Sequence, residues 1–269
     1  RPESTVLLGT SRIQVGIVPE EWAAEMGGDP PLQLALVGTS PVKTLRYFAT
    51  ATDFRGLAVV GVVEMYVFDV ASSGERVDEA VAEYRGILTS PARRSERALA
   101  RLLPMPLLMR NQHLNFADIL EAVWKRRPPR NLPGNMLPDR RIQFVPARLE
   151  PDDFDYSEFE NAGRPATPAE RDSIIADMRR SADTIRARGG RVVFVSFPAC
   201  GERRAIEERR YPREDYWDPF VAGVAPALAI RCDDVPELTE FQCGDGSHLA
   251  EDDARRFTHV LARMVAERR

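Results

Sequence analysis

The stretch from Gly56 to Phe68 constrains the fold of this chain more than any other. It carries Leu57-Ala58-Val59-Val60-Gly61-Val62-Val63 with almost no polar alternation. A strand exposed on one face alternates apolar and polar side chains, whereas one covered on both faces reads as a near-continuous apolar run. The stretch includes Glu64 and is too short to span a bilayer. Leu57 to Phe68 within it reads as a central strand of a sheet with helices on both sides.

The rest of the chain supplies partners for such a strand. Val6 to Gly9 reads as a short buried strand, and Leu32 to Val37 as a second, stopped by Gly38-Thr39-Ser40-Pro41. Pro19-Glu20-Glu21 opens a short helix that Gly27-Gly28 ends, and Val42 to Thr50 reads as another helix. Thr167-Pro168-Ala169-Glu170 is a capping box with proline at the first helical position. The helix it starts places Ile174, Met178, Ala182 and Ile185 on one face and stops at Gly189-Gly190. Arg191 to Phe197 and Ala227 to Arg231 are a fourth and a fifth strand, and Ala254, Phe257, Leu261 and Met264 give the last helix its buried stripe.

Strands separated by helices predict a parallel sheet with helices on both faces. The expected architecture is α/β: a flavodoxin-like three-layer sandwich whose five parallel strands follow the order 2-1-3-4-5. The whole chain, 1–269, reads as one domain. Its irregular part, roughly 71–165, has helical pieces near Val77–Tyr84 and Phe116–Trp124 among proline-, arginine- and acid-rich stretches. This part reads as an insertion after the third strand, lying over one end of the sheet.

Charge and cysteine content narrow the function classes. The net charge is -4, and the only lysines are Lys43 and Lys125 among 37 cationic side chains. The arginines are scattered among acids rather than clustered, which argues against a nucleic-acid partner. Cys200, Cys232 and Cys243 fit either one disulfide plus a free thiol or three buried thiols. No cysteine pattern has metal-ligand spacing, so neither a metal nor a cofactor is assigned. No signal peptide is visible, and a strand begins within a few residues of Arg1 without an initiator methionine, a start compatible with a chain trimmed of a leader or anchor helix.

In open α/β sheets, ligands bind beyond the carboxyl ends of the strands. Ser11, in Gly9-Thr10-Ser11-Arg12, follows the first strand at that end, and Gly38 follows the second. Asp245-Gly246-Ser247-His248 lies after the fifth strand, just before the last helix. A hydroxyl becomes a useful nucleophile when an adjacent base takes its proton. His248 suits that role, and Asp245, three residues earlier, can orient its other ring nitrogen within one turn. The backbone N–H groups of Ser11 and Gly38 are candidate oxyanion donors. Ile13 stands where a Gly-x-Ser-x-Gly elbow has its second glycine, which argues against an α/β-hydrolase.

These positions resemble the SGNH (GDSL-like) hydrolase superfamily, particularly its divergent bacterial branch that O-acetylates cell-surface polysaccharide. Gly9-Thr10-Ser11 matches the first block, Gly38 the second and Asp245-x-x-His248 the last. Arg12, Gly16-Ile17 and Pro19 also resemble that branch. The likeness covers Val6 to Phe68 and Thr167 onwards. The family's aspartate before the serine is Thr10 here, and its Gly-x-Asn-Asp block is missing after the third strand, which ends Tyr66-Val67-Phe68-Asp69. Asn111 is the candidate substitute for that block's oxyanion asparagine, and Arg12 a further substrate-binding candidate.

The resemblance implies a serine esterase or O-acetyltransferase acting on carbohydrate or small acyl esters through an acyl-enzyme on Ser11. It also implies an extracytoplasmic location and a membrane-bound acyl-donor partner. A non-catalytic SGNH-like domain that binds polysaccharide or a partner is the alternative. A flavodoxin-like nucleotide binder is weaker, since Gly9-Thr10-Ser11 lacks the further glycines of a phosphate loop. Taken singly, Ser11 is more often a helix-cap or turn residue than a nucleophile, and Asp245 could simply cap the last helix; the catalytic reading rests on their joint order and placement. His113 reads as a polar residue of the insertion, His259 as structural, and Asp152, Asp153 and Asp155 as a solvated loop. Tyr211, Tyr216, Trp217 and Phe220 read either as core packing or as a sugar-stacking group.

Overall fold

The computed structural model describes residues 1–70, 134–137, 141–144, 156–161, 163–241 and 243–268. In chain order the first elements are β1 (Val6–Leu8), α1 (Ser11–Gly16), α2 (Pro19–Met26), β2 (Leu32–Gln33), α3 (Val42–Ala51), β3 (Leu57–Val62) and α4 (Glu64–Val67). A short pair follows, β4 (Gly134–Met136) and β5 (Ile142–Phe144), then α5 (Ser157–Asn161) and α6 (Pro168–Ala187). The chain continues through β6 (Arg191–Ser196), α7 (Gly201–Arg210), α8 (Arg213–Val224) and β7 (Leu228–Arg231) to α9 (Glu251–Glu267).

Five strands form one all-parallel sheet in the order β2-β1-β3-β6-β7, with helices on both faces. This is an α/β architecture compatible with a flavodoxin-like sandwich. The order departs in numbering from the expected 2-1-3-4-5 because β4 and β5 intervene. They pair only with each other, antiparallel, in a separate sheet within the region read as helical or irregular insertion. Ile142 of β5 is buried with Val15 of α1 and against Val37, so the hairpin sits beside α1. The helical pieces near 77–84 and 116–124 lie outside the described residues.

The central strand is β3, whose every residue is buried. Val59 pairs with Leu7 on one side and Val193 on the other, and side chains alternate between the two faces. Leu7, Val59, Val193 and Val195 pack with Trp22 of α2 and Phe257 and Leu261 of α9. Leu8, Val60, Val62 and Phe194 pack on the other face with Leu45 of α3, Met178 of α6 and Trp217 and Phe220 of α8. The buried aromatics near position 216 therefore belong to this core, and Phe194 meets Phe220 edge-on at 5.1 Å.

Three details differ from the sequence expectation. β3 stops at Val62 rather than running to Phe68, because Glu64 to Val67 makes a helical turn that places Glu64 3.0 Å from Arg231 at the end of β7. A buried carboxyl is costly without a partner, and Arg231 supplies one. β2 is shorter than Leu32–Val37, although the chain stays beside β1. In α6 Ile175 rather than Ile174 is buried, next to Met178, Ala182 and Ile185, while the capping box on Thr167 and Glu170 is present as read.

Candidate active site

The tip of β1 is shaped by a glycine that nothing larger replaces easily. Gly9 has φ +144°, and a Cβ there would stand 3.0 Å from the Gly61 carbonyl oxygen on neighbouring β3. The chain then turns directly into α1. Thr10 caps the helix by accepting from the Arg12 N–H at 3.2 Å, so Ser11 is the first helical residue and is half-buried. The far end of α1 is fixed to α9, where the Thr258 hydroxyl accepts from Val18 N–H at 2.9 Å and meets the Gly16 carbonyl at 3.2 Å.

Gly38 arrives at the same end through an extension of β2. Leu34 N–H donates to the Leu7 carbonyl and Leu36 N–H to the Gly9 carbonyl, each at 3.0 Å. Gly38 follows in a turn with φ +67° and is exposed. The residue after the β1 tip and the turn after β2 are thus neighbours in the sheet.

The Asp245–His248 segment is held as a compact loop. Cys243 and Leu249 pair as an antiparallel bridge at its neck. One carboxylate oxygen of Asp245, Oδ1, accepts from Ser247 N–H (3.0 Å) and His248 N–H (2.8 Å), while Oδ2 lies 2.5 Å from His248 Nδ1. The Ser247 hydroxyl is 3.2 Å from the same ring nitrogen. Both Asp245 and His248 are buried. Burial by itself pushes the Asp245 carboxyl up, but the His248 hydrogen bond and charge, with the two backbone N–H groups, outweigh it and hold the group below its ordinary value. A histidine whose Nδ1–H is committed to a carboxylate presents Nε2 as a base.

This loop packs on the carboxyl end of β6 and beside α1. Cys200 N–H, after β6, donates to the Gly246 carbonyl at 2.9 Å. On the other side, Leu249 stands 3.8 Å from where a Cβ on Gly16 would lie. Ser11, Gly38, Asp245 and His248 therefore share one end of the sheet. Asp245 and His248 are joined directly. Among the described residues, Ser11 Oγ makes no hydrogen bond, so Ser11 and His248 share an end of the fold without being linked. Asn111, the expected substitute oxyanion donor, lies outside the described residues, as do His113 and the acids at 152, 153 and 155.

Arg12 turns inward. Its guanidinium meets Glu207 at 2.5 Å, and Glu207 also accepts from Arg203 Nε at 2.6 Å. Burial alone raises Glu207, yet the charges and hydrogen bonds of the two arginines keep it below the ordinary carboxylate range. Burial, only partly offset by Arg231, leaves Glu64 above that range. Arg12, Glu64, Ser196, Glu207 and Arg231 line a small polar cleft at the carboxyl ends of β3, β6 and β7. A larger cleft, lined by Asp183, Arg186, Arg191 and Arg268, lies at the amino ends of β6 and β7, at the opposite end from Ser11.

Sequence reasoning passed over Glu207, Arg203 and Tyr156. The four-residue spacing of Arg203 and Glu207 on α7 was the only local signal for their pairing, and it is equally common on solvated helices. Tyr156 donates its hydroxyl to the Asp245 carbonyl at 3.0 Å, a contact across 89 positions of chain that no local pattern announces. His259 is exposed and pairs with Glu25 at 2.7 Å. Tyr211, Tyr216, Trp217 and Phe220 are buried in the core, with the Tyr211 hydroxyl donating to Asp69 and that of Tyr216 to the Ala166 carbonyl. This placement leaves them no open ring face for a sugar.

No protein-family model matches the chain, and no curated protein matches it significantly in sequence. Among the described residues, no group of three or more His, Cys, Asp or Glu side chains is placed to hold a metal ion, and no helix is long and apolar enough to cross a membrane.

Proposed function

We propose that the chain is a serine esterase or O-acetyltransferase of the SGNH type, acting on acyl esters of carbohydrate, chiefly acetyl esters. The observation that carries this reading is the buried 2.5 Å contact between Asp245 and His248 at the end of the sheet where Ser11 opens α1. The finer fold reading, a flavodoxin-like sandwich with its insertion after the third sheet strand, accompanies it.

In the proposed reaction His248 Nε2 takes the Ser11 proton as Oγ attacks the ester carbonyl. Asp245 stabilises the imidazolium that forms. The tetrahedral oxyanion is received by backbone N–H groups near Ser11 and Gly38. Collapse expels the sugar oxygen, which takes its proton from His248, and leaves Ser11 acylated. Water or a second sugar hydroxyl, deprotonated by His248, then releases the acyl group as acid or as a new ester. Hydrolysis and transfer share the acyl-enzyme and differ in the acceptor. For transfer, a membrane-bound donor system would deliver the acyl group, and the site would act outside the cytoplasm.

The test is turnover of a chromogenic acetyl ester by the wild type and by Ser11→Ala. Ser11-dependent release of the chromophore supports the reading. One observation favours the alternative, a non-catalytic polysaccharide- or partner-binding domain: β3 runs into the Glu64 turn instead of the family's asparagine block. Absence of Ser11-dependent turnover on a panel of esters, together with retention on a polysaccharide column, would support that second reading.

A further inference from the structure

Two of the three cysteines meet beneath the Asp245–His248 loop. Cys200 lies in the segment after β6 and Cys243 at the neck of the loop, and all three thiols are free. Cys243 N–H donates to Cys200 Sγ at 3.2 Å, which brings the two residues side by side. Each is also placed by a carbonyl of the other's segment: Cys200 Sγ lies 3.7 Å from the Phe241 oxygen, and Cys243 Sγ 3.7 Å from the Pro198 oxygen. The same two segments are tied by the Cys200 N–H bond to Gly246, one residue from Asp245. The two cysteines are thus held next to one another by two backbone segments that each bind the other's cysteine.

We propose that Cys200 and Cys243 are a redox-active dithiol that exchanges with low-molecular-weight disulfides and, when oxidised, staples the Asp245–His248 loop to the carboxyl end of β6. The site goes beyond the esterase reading and stands without it. Cys200 is the attacking thiol, since it is half-buried while Cys243 is buried. The neighbouring Cys243 thiol outweighs the burial of Cys200. With the Cys243 backbone N–H and the charges of Arg204 and Arg12, it holds the Cys200 thiol below its ordinary value. The neighbouring Cys200 thiol, then burial, pushes Cys243 up, which suits a resolving thiol that reacts only within the pair. Cys232 is a built-in control: it is buried, and burial followed by Asp233 pushes it up to about 12.

The exchange balances in two steps. Cys200 thiolate attacks one sulfur of an external disulfide RSSR, breaking that S–S bond. A mixed disulfide forms on Cys200 and RS⁻ leaves, taking up a proton. Cys243 then gives up its proton and attacks Cys200 Sγ, forming the Cys200–Cys243 bond and releasing the second R group as RSH. The two protein thiols are oxidised by two electrons and RSSR is reduced to two RSH.

The experiment incubates the native full chain with mixtures of oxidised and reduced glutathione, blocks remaining thiols, and maps the peptides by mass spectrometry. The expected result is one peptide pair linked through Cys200 and Cys243, appearing in a single two-electron transition, with Cys232 free in every mixture. In Cys243→Ser, Cys200 should accumulate as the glutathione mixed disulfide, and in Cys200→Ser no disulfide should form. Amide exchange across residues 243–249 should slow on oxidation of the wild type, a readout that needs no variant to fold. The proposal is overturned if oxidised glutathione leaves all three thiols free, if Cys200 keeps its adduct in the wild type, or if the link involves Cys232. Unchanged amide exchange after cross-linking would overturn the stapling of the loop.

Discussion

Asp245 Oδ2 lies 2.5 Å from His248 Nδ1, while Oδ1 of the same carboxylate accepts the backbone N–H groups of Ser247 and His248. One side chain thus fixes both the loop and the ring it carries. Asp245→Asn is therefore expected to separate structure from chemistry. The amide oxygen can keep the two backbone hydrogen bonds, but the NH₂ facing Nδ1 forces the opposite imidazole tautomer. Under the proposed esterase reading, ester turnover should fall by about 10⁴-fold, the size of this effect in a serine triad, while the melting temperature changes little. Loss of folded structure in this variant would show that Asp245 is chiefly a structural residue.

Ser247 offers an internal control. Its hydroxyl sits 3.2 Å from His248 Nδ1, on the side of the ring committed to Asp245. A nucleophile must face the other nitrogen. Ser247→Ala should cost less than about tenfold in turnover, the value of one neutral hydrogen bond, whereas Ser11→Ala should abolish it. Steady-state rates on one chromogenic ester decide between the two serines, and the reverse ranking would move the nucleophile to Ser247.

The Glu207 carboxyl predicts how stability depends on pH. Its folded-state value is depressed, so its contribution is complete above the ordinary glutamate value of about 4.3 and is lost as pH falls through the depressed value. Glu207→Gln leaves the buried Arg12 and Arg203 without their counter-charge and should cost ~3–5 kcal/mol near neutral pH. Thermal unfolding followed from pH 7 down to strong acid should show the wild type and variant converging at the acid end. A constant gap would mean that packing, not charge, sets the difference.

Gly9 predicts a backbone effect at Ser11. Gly9→Ala must accommodate φ +144° and a contact of 3.0 Å with the Gly61 carbonyl. The strain should destabilise the protein by ~1–3 kcal/mol and shift Ser11, two residues on. Both a lower melting temperature and reduced turnover are expected, and a variant with wild-type values for both would remove the argument that the β1 tip is shaped by this glycine.

The parallel sheet was legible because its determinants are local. The apolar run in β3, the capping box at Thr167 and the stripe of α9 each announce themselves within one element. What was hidden depends on contacts across the chain. Nothing around Glu64 reveals that Arg231 waits at the end of β7, so β3 was read as extending to Phe68. The β4–β5 hairpin was missed because two strands of three residues, one starting Gly134-Asn135, carry no period long enough to detect. In the site, Asp245 and His248 are legible as a three-residue spacing, whereas Tyr156 and Glu207, which position that loop and α1, come from distant segments.

The most direct test of the central claim is to trap the acyl-enzyme. Wild type, Ser11→Ala and His248→Ala would each be treated with a fluorophosphonate ester and with an acetyl ester under rapid acid quench, and the modified residue located by peptide mass spectrometry. The account predicts one stoichiometric adduct on Ser11 in the wild type, none in Ser11→Ala and greatly slowed labelling in His248→Ala. Labelling at another residue, or labelling of Ser11 at the same rate without His248, would contradict it.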